Sequence, residues 1–216
     1  MISTAVLCDF DGTITKTDTA EHVLTRFAQG DWRVFEKQYE RGKITLEECL
    51  KKQFSLVTAS QEEILDKLDK VVTFRPNFEG LVRYCRKNHI PTVIVSAGLD
   101  FVIDHFLRLN KWEGLVETYM AKAKFRVSGI GFDFPELFDP TSVNFKQDLV
   151  RHYKTEGKEV VYVGDGSADY AAAGDANYLF AIKGSRLAAL CKEHGMYYIT
   201  ITDFKRVVET ICTIVT

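Results

Sequence analysis

The chain has 216 residues, a net charge of −2, 46% hydrophobic residues and 27% charged residues, which is typical of a globular protein. This length accommodates one domain with a sizeable core and a smaller appendage, and the near-neutral charge excludes a broad basic surface for nucleic acid. Five dispersed cysteines argue against a zinc cluster or a disulfide framework, and no apolar run reaches transmembrane length. With no signal peptide at the N-terminus, we expect a cytoplasmic monomer or homodimer without a membrane partner.

The first predicted element is a buried strand in residues 5–15 that ends in two carboxylates. Asp9 and Asp11 flank Phe10, and at strand spacing both acids project toward the same space. Gly12 follows at once and permits a tight turn and a close backbone approach to a ligand. The simpler interpretation is a solvated turn. Because buried acids are costly without a cation, the pattern instead favours a magnesium ion and a phosphoryl group.

Four helices are predicted next, in residues 18–73. Capping signals at Asp18, Asp31, Thr45 and Ser60 open them. They read as a small helical bundle inserted after the first strand. We therefore predict a helical cap in residues 16–75 and a core domain in residues 1–15 and 76–216.

Strands and helices then alternate. Strands are predicted at 91–95, 160–163, 178–182 and 197–201, with helices between them and a closing helix capped by Asp203. Residues 115–134 read as a hairpin or an added flap. The predicted fold class is α/β with a parallel sheet.

Polar groups beside glycine follow three of the predicted strands. Asp9 and Asp11 follow the first, Ser96 the second and Asp165 a later one, and Asp169 lies one helical turn beyond Asp165. Ligands of open parallel sheets bind at the carboxyl ends of the strands. Four carboxylates at that edge would repel each other, and oxygen ligands without His or Cys suit Mg²⁺. The sequence therefore predicts a magnesium site there.

These residues suggest phosphoryl transfer through an acyl phosphate. Asp9 is the predicted nucleophile and Asp11 the general acid and base. Ser96 and the backbone N–H groups from Phe10 to Gly12 could donate to phosphate oxygens, and Lys146 could supply positive charge. From the residues alone, however, Ser96 could equally cap a helix, and Lys146 reads better as a solvated lysine.

The motifs together resemble the haloacid dehalogenase superfamily of phosphohydrolases. They are residues 9–13, the run Ser96-Ala97-Gly98 after Val95, Lys146, and residues 164–166 with Asp169. The resemblance implies a Rossmann-like core and a helical cap between the first two motifs. It also implies magnesium held by Asp9, the Asp11 backbone carbonyl and Asp165, with Asp169 as a ligand or a neighbour of one, and it supports the role of Lys146.

Within that superfamily the sequence resembles the phosphoserine phosphatase group, including its methionine-salvage branch, which acts on a methylthio-ketopentenyl phosphate. The resemblance assigns Asp18 and the helix around Gln53 to substrate binding. Gln53 stands where the resemblance implies an arginine for a substrate carboxylate, and a neutral amide cannot replace a bidentate guanidinium. This departure argues against phosphoserine.

We therefore predict a magnesium-dependent phosphatase of a small phosphorylated metabolite. The alternatives are a phosphoserine phosphatase, or a phosphotransferase or mutase that passes the phosphoryl group to an acceptor hydroxyl. A phosphate-sensing module without catalysis is the remaining alternative, and the intact acids argue against it.

Overall fold

The computed structural model describes residues 3–215 and contains a six-stranded sheet and a separate two-stranded hairpin. The strands are β1 (Thr4–Cys8), β2 (Thr92–Ser96), β3 (Glu117–Met120), β4 (Lys122–Arg126), β5 (Gly129–Asp133), β6 (Glu159–Gly164), β7 (Tyr178–Ile182) and β8 (Ile199–Ile201). The large sheet has the order β3-β2-β1-β6-β7-β8, and every neighbouring pair in it is parallel.

Ten α-helices are described. Four of them follow β1 and precede the helix that leads into β2. They are α1 (Thr19–Phe27), α2 (Arg33–Glu40), α3 (Leu46–Phe54), α4 (Gln61–Leu68), α5 (Phe78–Lys87), α6 (Asp100–Leu109), α7 (Phe145–Thr155), α8 (Tyr170–Asp175), α9 (Arg186–Glu193) and α10 (Lys205–Val215). Within the described residues, no helix is long and apolar enough to cross a membrane.

The order in which the chain adds strands to the sheet reverses at β1. From β1 the chain adds β2 and β3 on one side, and it returns to pair β6 with the other side, where Val6 faces Val161. β1 and β6 are buried and mostly apolar, as expected for a sheet with both faces covered. The carboxyl ends of β1 and β6 therefore border the crevice in which ligands of such sheets bind.

The four inserted helices join the core through two adjacent segments. Lys16 N donates to the Thr73 carbonyl at 2.8 Å, and Arg75 N donates to the Ile14 carbonyl at 2.8 Å. Reciprocal capping boxes begin α3 at Thr45 and α4 at Ser60, as predicted. The chain therefore enters and leaves the inserted helices at adjacent points.

Residues 115–134 contain more structure than a hairpin or flap. β3 joins the edge of the main sheet beside β2, and only β4 and β5 form the hairpin. The hairpin packs on α3, where the rings of Phe54 and Phe132 meet edge to face with centroids 5.3 Å apart. A Cβ at Gly129 would lie only 2.3 Å from the Ser55 carbonyl oxygen, so the two backbones are in close contact. The hairpin thus connects the inserted helices to the sheet.

Candidate active site

The two N-terminal acids lie on a turn, and the predicted strand through them is wrong. β1 ends at Cys8, although Asp9 N still donates to the Val163 carbonyl at 2.9 Å. The N–H groups of residues 13–15 then converge on the Phe10 carbonyl, at 2.9–3.3 Å, and close the turn. The buried Phe10 side chain anchors this turn in the core, and Asp9 and Asp11 both line one cavity.

Lys146 bridges two carboxylates at the bottom of this cavity. Its Nζ lies 2.6 Å from Asp9 Oδ1 and 2.7 Å from Asp169 Oδ1, and all three side chains are buried. Lys146 on α7 is therefore not a solvated lysine. Burial alone would lower its pKa, but Asp169 and Asp9 raise the pKa above its ordinary value. Burial raises the pKa of Asp9, and Lys146 opposes that increase.

Asp169 positions the groups around it. Its Oδ1 accepts from Lys146 and from the Tyr162 hydroxyl at 2.7 Å, and its Oδ2 accepts from the backbone N–H groups of Asp165 and Gly166 at 3.0 and 2.9 Å. Residues 167–169 form a 3₁₀ turn. Contrary to the prediction, Asp165 and Asp169 therefore do not lie one α-helical turn apart on a shared face. The Asp169 side chain instead turns back over the end of β6.

Asp165 completes a cluster of three carboxylates. One oxygen from each of Asp9, Asp165 and Asp169 lies within 4.8 Å of the others. Thr13 Oγ1 donates to Asp165 Oδ1 at 3.1 Å, and Gly12, at φ +70°, packs so closely that a Cβ there would lie 2.2 Å from Asp165 Oδ2. Burial, and to a smaller extent the charge of Asp169, raises the pKa of Asp165 to about 7. Clustered hard oxygen ligands of like charge fit Mg²⁺.

The Asp11 carboxylate lies apart from that cluster. Its Oδ1 accepts from Thr19 N at 2.9 Å and from the Thr19 hydroxyl, while its Oδ2 is buried without a hydrogen-bond partner among the described residues. Burial, and to a smaller extent the charge of Asp18, raises the pKa of Asp11 to about 7, and the hydrogen bonds from Thr19 oppose this increase. A Cβ at Gly98 would lie 2.2 Å from Asp11 Oδ2. Asp11 is thus held in one orientation with one oxygen unengaged.

The segment after β2 forms another wall of the cavity. Ser96 is fully buried at the end of β2, and its Oγ accepts from Gly98 N at 3.1 Å. The N-cap of α6 is Leu99, without a side-chain cap, so Ser96 does not cap this helix. Ser96, Ala97 and Gly98 all line the cavity beside Asp11.

The cavity, of about 280 Å³, extends from these groups to the inserted helices α1, α2 and α3. Asp18 begins α1, where its Oδ1 accepts from Glu21 N at 2.7 Å. Gln53 on α3 is 6% exposed, lines the cavity, and its amide forms no hydrogen bond with the described residues. Both predicted substrate-binding residues therefore reach the same space as Asp9 and Asp11.

Sequence reasoning gave no role to four residues that hold the site together. Thr19 binds Asp11, Tyr162 binds Asp169, and Thr13 binds Asp165. Arg75 donates to the Gly12 and Thr13 carbonyls, at 2.7 and 2.8 Å. Of these four, only Tyr162 could have been identified from the sequence. Its hydroxyl is the one polar side-chain group in residues 160–163, which form an otherwise apolar strand, and a buried hydroxyl requires a hydrogen-bond partner.

Comparison with known proteins shows the family of this chain. The model of the haloacid dehalogenase-like hydrolases matches residues 6–174. The chain belongs to this family. A 2-hydroxy-3-keto-5-methylthiopentenyl-1-phosphate phosphatase from Brevibacillus brevis is 30% identical over 94% of this chain and 93% of its own length. A phosphatase of the same name from Bacillus pumilus is also 30% identical, over 93% of this chain and 88% of its own.

Solved structures share the fold of this haloacid dehalogenase-like hydrolase. A phospho-aspartyl intermediate analogue of phosphoserine phosphatase matches with a TM-score of 0.71 and 19% identity, over 97% of this chain and 99% of that one. A phosphoserine phosphohydrolase-like protein from Francisella tularensis matches with a TM-score of 0.66 and 19% identity, over 96% and 99% of the two chains. The predicted family, α/β fold and phosphoric monoester hydrolase class are confirmed.

Proposed function

We propose that the chain hydrolyses a small phosphomonoester through an aspartyl-phosphate on Asp9, with Mg²⁺ as its cofactor. The observation that most supports this proposal is the buried Lys146 side chain, which bridges Asp9 and Asp169. It fixes one oxygen of Asp9, while the other accepts no hydrogen bond from the described residues and belongs to a side chain that lines the cavity. A nucleophile held in a single orientation requires little reorganisation to attack.

Asp9 and Asp165 would hold Mg²⁺, together with the Asp11 backbone carbonyl that the family resemblance implies. We assign Asp169 to positioning, because each of its oxygens already accepts two hydrogen bonds, although one lies close enough for coordination. Bound magnesium would neutralise phosphate charge and polarise a phosphoryl oxygen. The carboxylates fit this ion because they are oxygen ligands whose mutual repulsion a cation relieves.

In the first step, the free oxygen of Asp9 attacks phosphorus and the bond from phosphorus to the alcohol oxygen breaks. Protonated Asp11 gives its proton to that oxygen through the unengaged Oδ2. In the second step, water attacks phosphorus, Asp11 takes the proton of the water, and the bond from phosphorus to Asp9 breaks. Phosphate leaves and both side chains return to their starting states.

The remaining groups stabilise the phosphoryl oxygens. The Ser96 hydroxyl and the backbone N–H groups of Phe10, Asp11 and Ala97 are suited to donate to them, and Lys146 offsets negative charge. Gly12 N and Gly98 N donate to Thr15 Oγ1 and Ser96 Oγ in this structure, and they would exchange these bonds for bonds to the phosphoryl oxygens. Preorganised donors in a site with little water contribute strongly to such reactions.

We further propose that residues 16–75 act as a cap on a core formed by residues 1–15 and 76–216, of which residues 1, 2 and 216 lie outside the described part of the chain. Thr19, on the first cap helix, binds Asp11. Closure of the cap would therefore exclude water and orient the general acid in one movement.

The test is phosphate release from a panel of small phosphomonoesters and p-nitrophenyl phosphate, with magnesium and with EDTA. We expect release that magnesium supports and EDTA abolishes. Absence of release from every compound, or equal release in EDTA, would overturn the proposal.

A further inference from the structure

We propose that Arg75 is a positioning residue for the metal site, an inference that rests on the proposed function. Arg75 follows the inserted helices, does not line the cavity, and forms no ion pair with the described residues. Its guanidinium instead binds the turn after β1, and this turn holds the carboxylate of Asp165. Arg75 would therefore fix a proposed Mg²⁺ ligand without touching it.

The guanidinium holds two consecutive carbonyls of the turn. Arg75 Nη2 donates to the Gly12 carbonyl at 2.7 Å, and Nε donates to the Thr13 carbonyl at 2.8 Å. Among the described residues, no other group donates to either carbonyl. Because a guanidinium is planar and presents its N–H groups in a rigid fork, both peptide groups are held in fixed orientations.

The same two turn residues contact the carboxylate of Asp165, one at each oxygen. Thr13 Oγ1 donates to Asp165 Oδ1 at 3.1 Å, and a Cβ at Gly12 would lie only 2.2 Å from Asp165 Oδ2. A displacement of the turn would therefore change both contacts. Arg75 thus acts on the orientation of this carboxylate through Gly12 and Thr13.

Arg75 is itself anchored to the core. Its Nη1 donates to the Thr202 carbonyl after β8 at 3.3 Å, and its backbone N–H donates to the Ile14 carbonyl at 2.8 Å. The carbonyl of the next residue, Pro76, accepts from Phe204 N at 3.1 Å. These bonds hold the guanidinium in one place, so it can restrain the turn.

The hydrogen-bond partners that orient a metal ligand contribute to metal affinity. Loss of such a partner typically weakens metal binding about 10- to 100-fold. Arg75 is one step further from the ligand than such a partner, because Thr13 binds Asp165 directly. We therefore expect removal of the guanidinium to weaken Mg²⁺ binding about tenfold, the lower end of that range.

Titration calorimetry of Mg²⁺ into the substrate-free protein measures this effect. Arg75→Met removes the charge and the side-chain hydrogen bonds to Gly12, Thr13 and Thr202, and it should raise the Kd for Mg²⁺ about tenfold. Arg75→Lys keeps the charge but has no planar fork, and it should raise the Kd about threefold. A melting curve establishes that each variant is folded.

Arg86→Met is the matched control, because Arg86 is exposed in the last turn of α5 and does not line the cavity. Its Kd should equal that of the wild type. A purely structural role for Arg75 would lower the melting temperature and leave the Kd unchanged, and this result in a folded Arg75→Met would overturn the inference. If Arg75→Met does not fold, Arg75→Lys decides, and a wild-type Kd in that variant would overturn the inference.

Thr13→Val tests the route from Arg75 to Asp165. Valine has nearly the shape of threonine but cannot donate to Asp165, and its backbone carbonyl remains available to Arg75. Arg75→Lys should therefore change the Kd less in Thr13→Val than in the wild type, because substitutions within one hydrogen-bond network are not additive. Fully additive effects would overturn the inference.

The same measurements separate this inference from the proposed function. Absence of Mg²⁺ binding by the wild type would overturn the proposed metal site, and the inference with it. A wild type that binds Mg²⁺ and releases phosphate, beside Arg75 variants with an unchanged Kd, would overturn the inference alone.

Discussion

Lys146 on α7 forms a buried ion pair with Asp9 after β1, at 2.6 Å, across 137 residues of sequence. The pair joins the predicted nucleophile to the second half of the sheet, because Lys146 also binds Asp169 beyond β6. Both charges are desolvated, so each depends on the other for its stability in the folded protein.

Lys146→Met is expected to destabilise the protein and to inactivate it. Removal of one partner of a buried ion pair leaves uncompensated carboxylates, and the expected loss of unfolding free energy is about 3–5 kcal/mol. Loss of a preorganised charge near the phosphoryl group should lower kcat at least ~100-fold. Urea denaturation and steady-state kinetics measure the two effects.

Lys192→Met is the matched control for this substitution. Lys192 is exposed in the last turn of α9 and forms no ion pair with the described residues. This control should change stability by less than ~0.5 kcal/mol. Equal stability and activity of the two variants would contradict the role of the Asp9–Lys146 pair.

Gly98→Ala should impair the general acid without disrupting the fold. The new Cβ would lie 2.2 Å from Asp11 Oδ2, so the carboxylate must leave its orientation on Thr19. We expect kcat to fall by about 10²-fold, the range attributed to general acid–base catalysis. Kinetics at saturating substrate provide the measurement.

Gly80→Ala provides the control for Gly98→Ala. Gly80 lies inside α5, and a Cβ there would contact nothing within 4 Å outside its neighbours and its own helix backbone. Alanine should stabilise this helix by roughly 0.5–1 kcal/mol and leave kcat unchanged. Full activity in Gly98→Ala would show that Asp11 does not need its observed orientation.

Stability without metal should decrease as pH rises. Burial raises the pKa of Asp165 to about 7, above the value of ~3.9 expected in the unfolded chain. A raised folded-state pKa contributes stability that is complete below the unfolded pKa and lost as pH rises through the folded one. In EDTA, the melting temperature of the wild type should therefore fall between about pH 5 and pH 8 more than that of Asp165→Asn.

Magnesium should reverse this loss in the wild type. Because the ion binds the charged carboxylates, it should raise the melting temperature more at the higher pH, and less in Asp165→Asn. Thermal melts with EDTA and with magnesium at both pH values test this. A magnesium effect that is the same at both pH values and in both proteins would contradict a metal site at Asp165.

The sequence predicted the parts of the fold that local patterns determine. β1, β2 and β6 are apolar runs that end beside a polar group and glycine, and the capping boxes at Thr45 and Ser60 begin the predicted helices. These signals are local, since burial and capping each act within a few residues.

Other features depend on distant partners and could not be predicted from local patterns. Residues 115–127 are strand-like in parts, and only tertiary packing divides them between the sheet and a hairpin on α3. Asp169 leaves its expected helical position because Lys146 and Tyr162 bind it from elsewhere in the chain. The burial of Lys146 likewise follows from carboxylates remote in sequence.

The most direct test of the account is the turnover of p-nitrophenyl phosphate by Asp9→Asn, with magnesium present. The amide has nearly the same shape but lacks the nucleophilic charge, so the variant should fold and lose at least ~10³-fold in kcat. A melting curve establishes that the variant is folded under the assay conditions. A folded variant that retains more than about a tenth of wild-type kcat would contradict Asp9 as the nucleophile.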